Sequence, residues 1–512
     1  MPTGRFERFC CVICVWLVAQ GARAQHEAPA ALVYVRDPVQ TPQPELATLP
    51  LIPQGAGLRH TLLAAYSCRD TGRTEVQGER VHVCAVAASA RADALGHFTA
   101  TPLGTDAPAH APDPFAEQML FHHAARSLQF FAALGVPAAT IDSTREPLQL
   151  VANVRLPRAL AGASLDPTRA GLEPWRDATF LRADEDPPLF RGLRPEPGPV
   201  IFFGQADDVR LAYDSAAIRH EVTHAVLSDW LPRTGRFVDA QGTNPAPAAI
   251  AEALADYFSA AIADDPRLGA HAGHGLGVAQ TRNLNVALSC PAALTGQPHG
   301  DGLVLASALW SLRKQLGREL DQALVSALRD LQGVSALSFE RLVASLLARL
   351  AANHPAAARN ASALLRERGL TPRCPRLRDL DVQQSLAGAS GAFVLPGAGP
   401  SLPLASSSLQ LRAALPRTGV DLEVRLRAGA TAPQDANSFS PALLVKPSPI
   451  RWTERGTHDA QLISPTPGAP SELRFAVPAP RGRELYLQLV NRGEEPGWYD
   501  TVRIAFRPAA AR

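Results

Sequence analysis

The chain has 512 residues, 46% of them hydrophobic, which is long for a single core and suggests about three domains. Its 50 lysines and arginines nearly balance 48 aspartates and glutamates, so the formal net charge is +2. Because there is no block of basic residues, we expect neither a nucleic-acid partner nor an anionic membrane partner.

The N-terminus has the pattern of a secretory signal peptide. Arg5 and Arg8 precede an apolar run over residues 9–19, and residues 22–24 (Ala-Arg-Ala) provide a small-x-small cleavage site. The apolar run is shorter than the roughly 20 residues that span a bilayer. We therefore expect a signal peptide over residues 1–24, a secreted or periplasmic mature protein, and no transmembrane anchor.

Four cysteines remain after the signal peptide, an even number in a chain bound for an oxidising compartment, which favours disulfides over metal ligation. Cys68 and Cys84 flank a turn-rich stretch, residues 69–73, between two β-like runs, so we expect them to staple a hairpin. That pairing leaves Cys290 for Cys374. None of the four has the Cys-x-x-Cys spacing of a structural zinc or redox site.

Residues 25–112 are expected to form a β-rich region. Residues 81–85 alternate between apolar and polar side chains, which is the period of a strand. The sequence is compatible with a removable propeptide and with an accessory domain. A proline-rich stretch, residues 105–114, reads as the linker that follows.

Residues 113–231 are expected to form a mixed lobe of helices and strands. Asp113 and the proline after it provide an N-cap and a first-turn residue, and apolar residues at helical spacing follow. Residues 148–154 and 199–203 have the composition of strands.

The stretch His220-Glu221-Val222-Thr223-His224 has the spacing of a helical metal site. Residues i and i+4 lie on one face of a helix, so His220 and His224 can present ring nitrogens to one zinc ion at about 2.0–2.1 Å. Glu221 then lies beside the open coordination position, where a carboxylate accepts a proton from metal-acidified water. The pattern also arises by chance, so a third ligand decides whether it marks a site.

A second predicted helix supplies that ligand. Residues 247–258 begin with a proline suited to a first turn and continue with helix formers. Glu252 and Asp256 share one face of this helix, next to its apolar side. We expect Glu252 to bind the metal and Asp256 to accept the second N–H of a ligating histidine, preferably His220. The alternative is an ordinary solvated acidic pair.

The order His-Glu-x-x-His and then Glu-x-x-x-Asp on a later helix resembles the gluzincin metallopeptidases of the thermolysin and fungalysin type. Upstream, residues 201–205 and 212–214 are similar to the strand and loop that lead into that family's zinc helix. Downstream, residues 298–302 and 308–313 are similar to a later segment of the family. The resemblance covers residues 113–375 and implies an α+β fold with a two-lobed catalytic unit.

The same resemblance implies roles for further residues. His299 would stabilise the oxyanion, Arg282 would lie near the substrate carbonyl, and Ala178 would bind the substrate backbone from an edge strand. Relatives often bind calcium, and residues 184–186 (Asp-Glu-Asp) are the candidate here. Because these acidic residues are consecutive and lack the spacing of a ligand loop, a solvated turn is the favoured interpretation.

Two further regions complete the chain. Residues 232–375 are rich in alanine and leucine and are expected to form the helical lobe, with apolar periodicity in three segments: 303–316, 320–331 and 342–350. Residues 376–512 contain four runs of period-two alternation and are expected to form an antiparallel β-sandwich. Since no predicted catalytic residue lies there, we expect this accessory domain to be dispensable for cleavage of short peptides.

These patterns together predict a secreted, monomeric zinc endopeptidase that acts on peptides or proteins. His220, His224 and Glu252 would hold the zinc, Glu221 would activate water, and His299 would stabilise the oxyanion. Two alternatives remain open. One is a catalytically silent binding protein with the same fold, and the other is a zinc hydrolase of a non-peptide amide or ester, because pocket shape sets the bond type.

Overall fold

The structure is a computed structural model that describes residues 28–76, 79–104, 107, 111–137, 141, 146–157, 172–205, 209–232, 237–275, 279–334, 337–380, 385–387, 393–395, 404–415, 421–428, 440–453, 457–466, 472–478, 482–493 and 497–506. The predicted signal peptide and much of the predicted linker lie outside the described residues.

Within the described residues, four strands open the chain, helices and strands are mixed in its middle part, four helices follow one another, and the last eleven elements are strands. The helices are α1 (Pro114–Ala133), α2 (Ser215–Leu227), α3 (Ala246–Ala263), α4 (Ala270–Gly275), α5 (Pro298–Leu316), α6 (Arg318–Asp330), α7 (Phe339–Asn353) and α8 (Pro355–Glu367). The strands are β1 (Ala30–Val33), β2 (Glu45–Thr48), β3 (Leu63–Val76), β4 (Glu79–Ala87), β5 (Leu148–Pro157), β6 (Leu172–Pro174), β7 (Ala178–Leu181), β8 (Val200–Gly204), β9 (Phe237–Asp239), β10 (Gly242–Asn244), β11 (Arg267–Leu268), β12 (Arg282–Asn283), β13 (Leu377–Asp379), β14 (Ser385–Ala387), β15 (Phe393–Leu395), β16 (Ala405–Ser406), β17 (Gln410–Ala414), β18 (Leu422–Ala428), β19 (Pro441–Lys446), β20 (Gln461–Ile463), β21 (Glu472–Val477), β22 (Glu484–Asn491) and β23 (Gly497–Phe506). This mixed content agrees with the predicted α+β class.

The first large sheet combines the N-terminal region with the mixed lobe. Its strand order is β4-β3-β5-β8-β7, with β6 paired to β5. Strands β3, β5 and β8 are parallel neighbours, whereas β4 and β7 are antiparallel edge strands. The predicted division at residue 113 therefore runs through one sheet. Leu63 of β3 and Leu150 of β5 lie in one core, which does not support the propeptide interpretation of residues 25–112.

Both predicted disulfides are present. Cys68–Cys84 joins β3 to β4 with a Cα separation of 5.1 Å, and Cys290–Cys374 has a Cα separation of 5.6 Å. Residues 69–73, expected as a turn, instead lie inside β3, where the pairing register with β4 shifts. The expectation was wrong because Asp and Gly are as typical of a strand irregularity as of a turn.

Helix α2 follows the end of β8 after a short 3-10 turn. The Asp214 carboxylate caps α2 by accepting the N–H of Ala216 at 2.9 Å. Helix α3 packs against α2, and the Ser259 hydroxyl donates to the Ala216 carbonyl at 2.9 Å. These contacts fix the N-terminal half of α2 relative to both the sheet and α3.

Helix α5 approaches α3 at a glycine. A Cβ atom on Gly302 would lie 2.6 Å from the carbonyl oxygen of Ala249 and 3.0 Å from the nitrogen of Ala253. Only glycine allows this backbone-to-backbone contact. The contact places the beginning of α5 against the N-terminal half of α3.

The three predicted segments of the helical lobe correspond to α5, α6 and α7. Helix α6 packs against α7, and α7 packs against α8. No helix in the described parts of the chain has the length and apolar content needed to cross a membrane.

The C-terminal region contains two sheets. One has the order β13-β17-β22-β19-β20, with β16 paired to β22, and the other has the order β14-β23-β18-β21, with β15 paired to β23. Apolar side chains from both sheets share one core, including Leu487 and Val424. One pair, β13 with β17, is parallel, whereas the sequence predicted a wholly antiparallel sandwich. The chain returns from β13 through β14, β15 and β16 before β17, so the two strands can run in the same direction.

The sandwich contacts the β9–β10 hairpin, which leads directly into α3. Gln488 donates from Nε2 to the Gln241 carbonyl at 2.8 Å, and the Ser406 hydroxyl accepts the N–H of Thr243 at 2.7 Å. The Trp452 side chain lies in an apolar cluster that includes Val238 of the hairpin. The sandwich therefore supports the entry to α3, which the sequence did not indicate.

We expect removal of the sandwich to destabilise the remaining chain. A protein that ends at Asp379 loses the apolar and hydrogen-bonded cover of the hairpin. At about 1.5–3 kcal/mol per buried apolar side chain, we expect a fall of roughly 5–10 °C in the unfolding midpoint. Thermal unfolding of the shortened and full-length proteins measures this difference. Equal midpoints for the part of the chain before residue 380, with and without the sandwich, would show that the sandwich does not stabilise it.

Candidate metal centre and cleft

Helix α2 presents His220 and His224 on one face and Glu221 next to that face. Nε2 of His220 lies 3.1 Å from Nε2 of His224. His220 and Glu221 are only 5% and 8% exposed, although both line the cleft described below. The i and i+4 spacing therefore brings the two ring nitrogens together, as the sequence predicted.

Helix α3 adds a carboxylate to these nitrogens. Oε2 of Glu252 lies 3.1 Å from Nε2 of His220 and 3.6 Å from Nε2 of His224. From the start of α5, Nε2 of His299 reaches 3.1 Å from the same oxygen. His220, Glu252 and His299 thus form a group of three ligand atoms within 4.8 Å of one another, which could hold a metal ion.

The donor atoms fit a tetrahedral metal. Two ligands at 2.0–2.2 Å from a tetrahedral ion lie about 3.3–3.6 Å apart. The triangle of His220 Nε2, His224 Nε2 and Glu252 Oε2 has sides of 3.1, 3.1 and 3.6 Å, close to that requirement. Two imidazoles and one carboxylate can therefore bind one ion with little rearrangement.

Asp256 and Arg282 hold His220 from behind. Oδ1 of Asp256 lies 2.9 Å from Nδ1 of His220, and Nε of Arg282 lies 2.6 Å from Oδ2 of Asp256. Burial alone would raise the pKa of Asp256, but Arg282 and His220 outweigh it and lower that pKa. An ionised Asp256 holds a proton on Nδ1 of His220, so that the nitrogen that can bind a metal, after it loses its own proton, is Nε2.

His299 has a different partner, which the sequence analysis missed. Gln297 caps α5, because its Oε1 accepts the N–H of Gly300 at 2.6 Å. Its Nε2 must therefore face Nδ1 of His299, at 3.0 Å. Since an amide nitrogen only donates, Nδ1 accepts and the proton of a neutral His299 lies on Nε2. Burial lowers the pKa of His299, so this neutral form dominates at pH 7. His299 thus presents an N–H donor to the cleft and is poorly suited to bind a metal.

The histidines and Glu221 lie between two cavities. One is a pocket of ≈ 200 Å³ whose wall includes Val209, Leu211 and Leu268, and the other is a groove of ≈ 730 Å³ that follows β7. Glu221 lines both cavities, and burial raises its pKa against the opposing effect of His224 and His220. A substrate that lies in both cavities would pass over Glu221.

Among the described residues, β7 pairs with β8 alone, and its second edge faces the groove. The N–H of Gly204 donates to the Asp177 carbonyl at 2.9 Å, so the alternation of an antiparallel pair turns the backbone groups of Ala178 away from β8. The N–H of Ala178 is taken by the side chain of Asp177, at 2.9 Å. Of the two backbone groups of Ala178, the carbonyl is therefore the one that can bind a ligand. The predicted role of Ala178 in binding a substrate backbone is limited to accepting a hydrogen bond.

The structure gives no support to the calcium expectation for residues 184–186. Asp184 and Asp186 have side chains that are 55% and 66% exposed, and they lie 3.9 and 3.4 Å from Arg182 and Arg191. Within the described residues, the only group with metal-ligand geometry is the one at His220. The acidic turn is therefore solvated and paired with arginines.

Comparison with known proteins adds no identification. No family model matches this chain, and no curated protein matches it significantly. The geometry of the site thus carries the functional argument.

We expect metal binding to release a proton from His220. In the metal-free chain burial opposes the charged imidazolium, but hydrogen bonds to Asp256 and Glu252 outweigh burial and raise the pKa of His220 to about 10. A metal requires neutral imidazole, so affinity should rise by about tenfold per pH unit between pH 7 and 9. Titration calorimetry at pH 8 in buffers of different ionisation enthalpy should detect about one proton released per ion. Affinity that is constant over this range would contradict the prediction.

Proposed function

We propose that the protein is an exported zinc peptidase of the gluzincin type that hydrolyses peptide bonds. The observation that carries the proposal is the set of three donor atoms from His220, His224 and Glu252, whose spacing fits a tetrahedral ion, beside a buried Glu221 in a cleft. Export is supported by the two disulfides, which are typical of oxidising compartments. The cleft has the mixed sheet on one side and helices α3 and α5 on the other, which supports a two-lobed unit.

Zinc is the metal that this donor set favours. Two imidazoles and one carboxylate in a tetrahedral arrangement are a common catalytic zinc site that keeps a fourth position open. Zinc, when bound there, lowers the pKa of a water molecule to about 7 and polarises a carbonyl oxygen. The tautomer of His299 argues for His224, and against His299, as the third ligand.

Glu221 is the proposed general base. Its carboxylate lies on the cleft side of α2, one residue after His220, and has a raised pKa. A pKa closer to the working pH improves both acceptance of a proton from the attacking water and its later donation to the leaving amine. Among the described carboxylates, only Glu221 and Asp177 line both cavities, and Asp177 lies at the rim.

His299 is the proposed donor to the oxyanion. Its Nε2–H points toward the ligand cluster, and Gln297 holds the ring in that orientation. A fixed donor stabilises negative charge that develops on a substrate oxygen. Arg282 has the supporting role of holding Asp256, and it also lines the pocket where a substrate carbonyl would lie.

A peptide is the substrate that the cleft fits best. The outward carbonyl of Ala178 and the open edge of β7 can pair with an extended backbone. A small ester or amide would use the same catalytic groups but not the strand edge. A silent binding protein would have no need for a buried carboxylate at Glu221, where burial costs free energy.

The first test replaces Glu221 by glutamine. Glu221→Gln keeps the shape of the side chain but cannot accept a proton, so zinc content and fold should persist while kcat/KM falls by about 10³-fold or more. Mass spectrometry of a digested peptide library, with blocked esters and amides alongside, measures the change. Near-normal cleavage by the variant would show that the base lies elsewhere.

The second test separates the two candidate third ligands. His224→Ala should weaken zinc binding by at least about 100-fold, because it removes a ligand, whereas His299→Ala should retain zinc and lower kcat by about 10²-fold. Zinc competition with a chelator and steady-state kinetics provide the two measurements. Zinc loss in His299→Ala, with retention in His224→Ala, would exchange their roles.

A further inference from the structure

The cleft contains carboxylates that the proposed mechanism does not use, and Asp177 is the one of them that lines both cavities. This residue precedes β7 and lines both the pocket and the groove, so it lies where the two cavities meet beside Glu221. Its Oδ1 accepts the N–H of Ala178 at 2.9 Å. Among the described residues, no cation lies within ion-pair distance of it.

The neighbouring arginines are committed elsewhere. Arg282 binds Asp256 at 2.6 Å, and Arg182 binds Asp229 at 2.7 Å. Arg176, directly before Asp177, extends to the carbonyl of Gly275 at 3.3 Å. The second oxygen of Asp177 is therefore available to a ligand in the cleft.

The other charged side chains of the cleft wall also bear on which ligand Asp177 can bind. Apart from the ligand Glu252, the two cavities are lined by five carboxylates and three arginines: Asp177, Glu185, Asp186, Glu221 and Asp256 against Arg176, Arg182 and Arg282. Two of those arginines are paired as described above. Glu252 and a bound zinc ion offset much of this excess at the metal, so the attraction for a cationic group is local to the unpaired oxygen of Asp177, and the concave, weakly polarisable wall strengthens it.

From this geometry we infer that Asp177 is a specificity-determining residue that binds a positively charged group of the substrate next to the scissile bond. The inference rests on the proposed peptidase function and adds the substrate class. The bound group is an ammonium or guanidinium, which a peptide carries on a lysine or arginine side chain or at its free N-terminus. Asp177 donates no proton and forms no covalent bond in this role.

The test measures binding so that it does not depend on turnover. Zinc-loaded Glu221→Gln protein is titrated with labelled peptides in which one position at a time holds lysine or Nε-acetyl-lysine, and each peptide has a free or an acetylated N-terminus. We expect one site in the peptide at which the charged form binds about tenfold more tightly. A preference for lysine over Nε-acetyl-lysine identifies a side chain as the source of the cation. A preference for the free N-terminus identifies the terminal ammonium.

Asp177→Asn, added to Glu221→Gln, should reduce this ratio to nearly one, and higher salt should reduce it in the parent protein. Asp184→Asn is the matched control, because it removes an equal charge from the same side of the molecule but does not line either cavity, and it should retain the ratio. The inference fails if no position prefers a charge, or if the preference survives Asp177→Asn.

Cleavage of the same peptides by the unmodified protein separates this failure from that of the proposed function. Cleavage with equal kcat/KM for charged and acetylated peptides overturns the role of Asp177 and leaves the peptidase intact. Charge-selective binding without any cleavage supports the role of Asp177 as a ligand-binding residue and overturns the peptidase.

Discussion

Two carboxylates on α3 hold one histidine of α2 from both ends, and the rest of the site depends on this contact. Glu252 lies 3.1 Å from Nε2 of His220, and Asp256 lies 2.9 Å from Nδ1. Because Glu252 and Asp256 are one helical turn apart, only one rotation of α3 about its axis satisfies both contacts. The position of α3 relative to α2 then sets the triangle of donor atoms and the orientation of Glu221.

This arrangement concentrates negative charge in a buried place. Glu221, Glu252 and Asp256 lie within a few side chains of one another, and burial disfavours the ionised form of each. In the metal-free chain, Arg282 and the imidazolium of His220 balance part of this negative charge. Removing either cation would leave buried carboxylates without a partner, which destabilises the fold. A divalent cation would replace the proton of His220 in this role. Metal binding and local stability are therefore coupled, because the same carboxylates serve both.

Much of the site was predictable because it depends on local periodicity. The spacing of His220 and His224, and that of Glu252 and Asp256, specifies shared helix faces without knowledge of the fold. The disulfides followed from the number and context of the cysteines. Gln297 was missed because its role depends on a side-chain amide whose oxygen caps α5 while its nitrogen faces His299. The presence of a glutamine in the sequence does not indicate that its oxygen and its nitrogen have these two separate partners.

The larger errors came from contacts between distant parts of the chain. The expected boundary at residue 113 failed because β3 pairs in parallel with β5, and a parallel pair leaves no local turn signal in the sequence.

The sandwich is a second case in which a contact between distant parts of the chain was not predicted. Its strands were predicted from alternation, but alternation indicates only that each strand has an apolar face and not which surface covers the outer face of the sheet. In the structure that surface includes the hairpin before α3, held through Gln241 and Thr243. Gly242 lies between these residues with φ at +96°, and a Cβ there would collide with Ser406, so the close contact requires glycine. The hairpin leads into the helix that carries Glu252. A domain that lines neither cavity therefore contributes to the geometry of the site through the segment it supports.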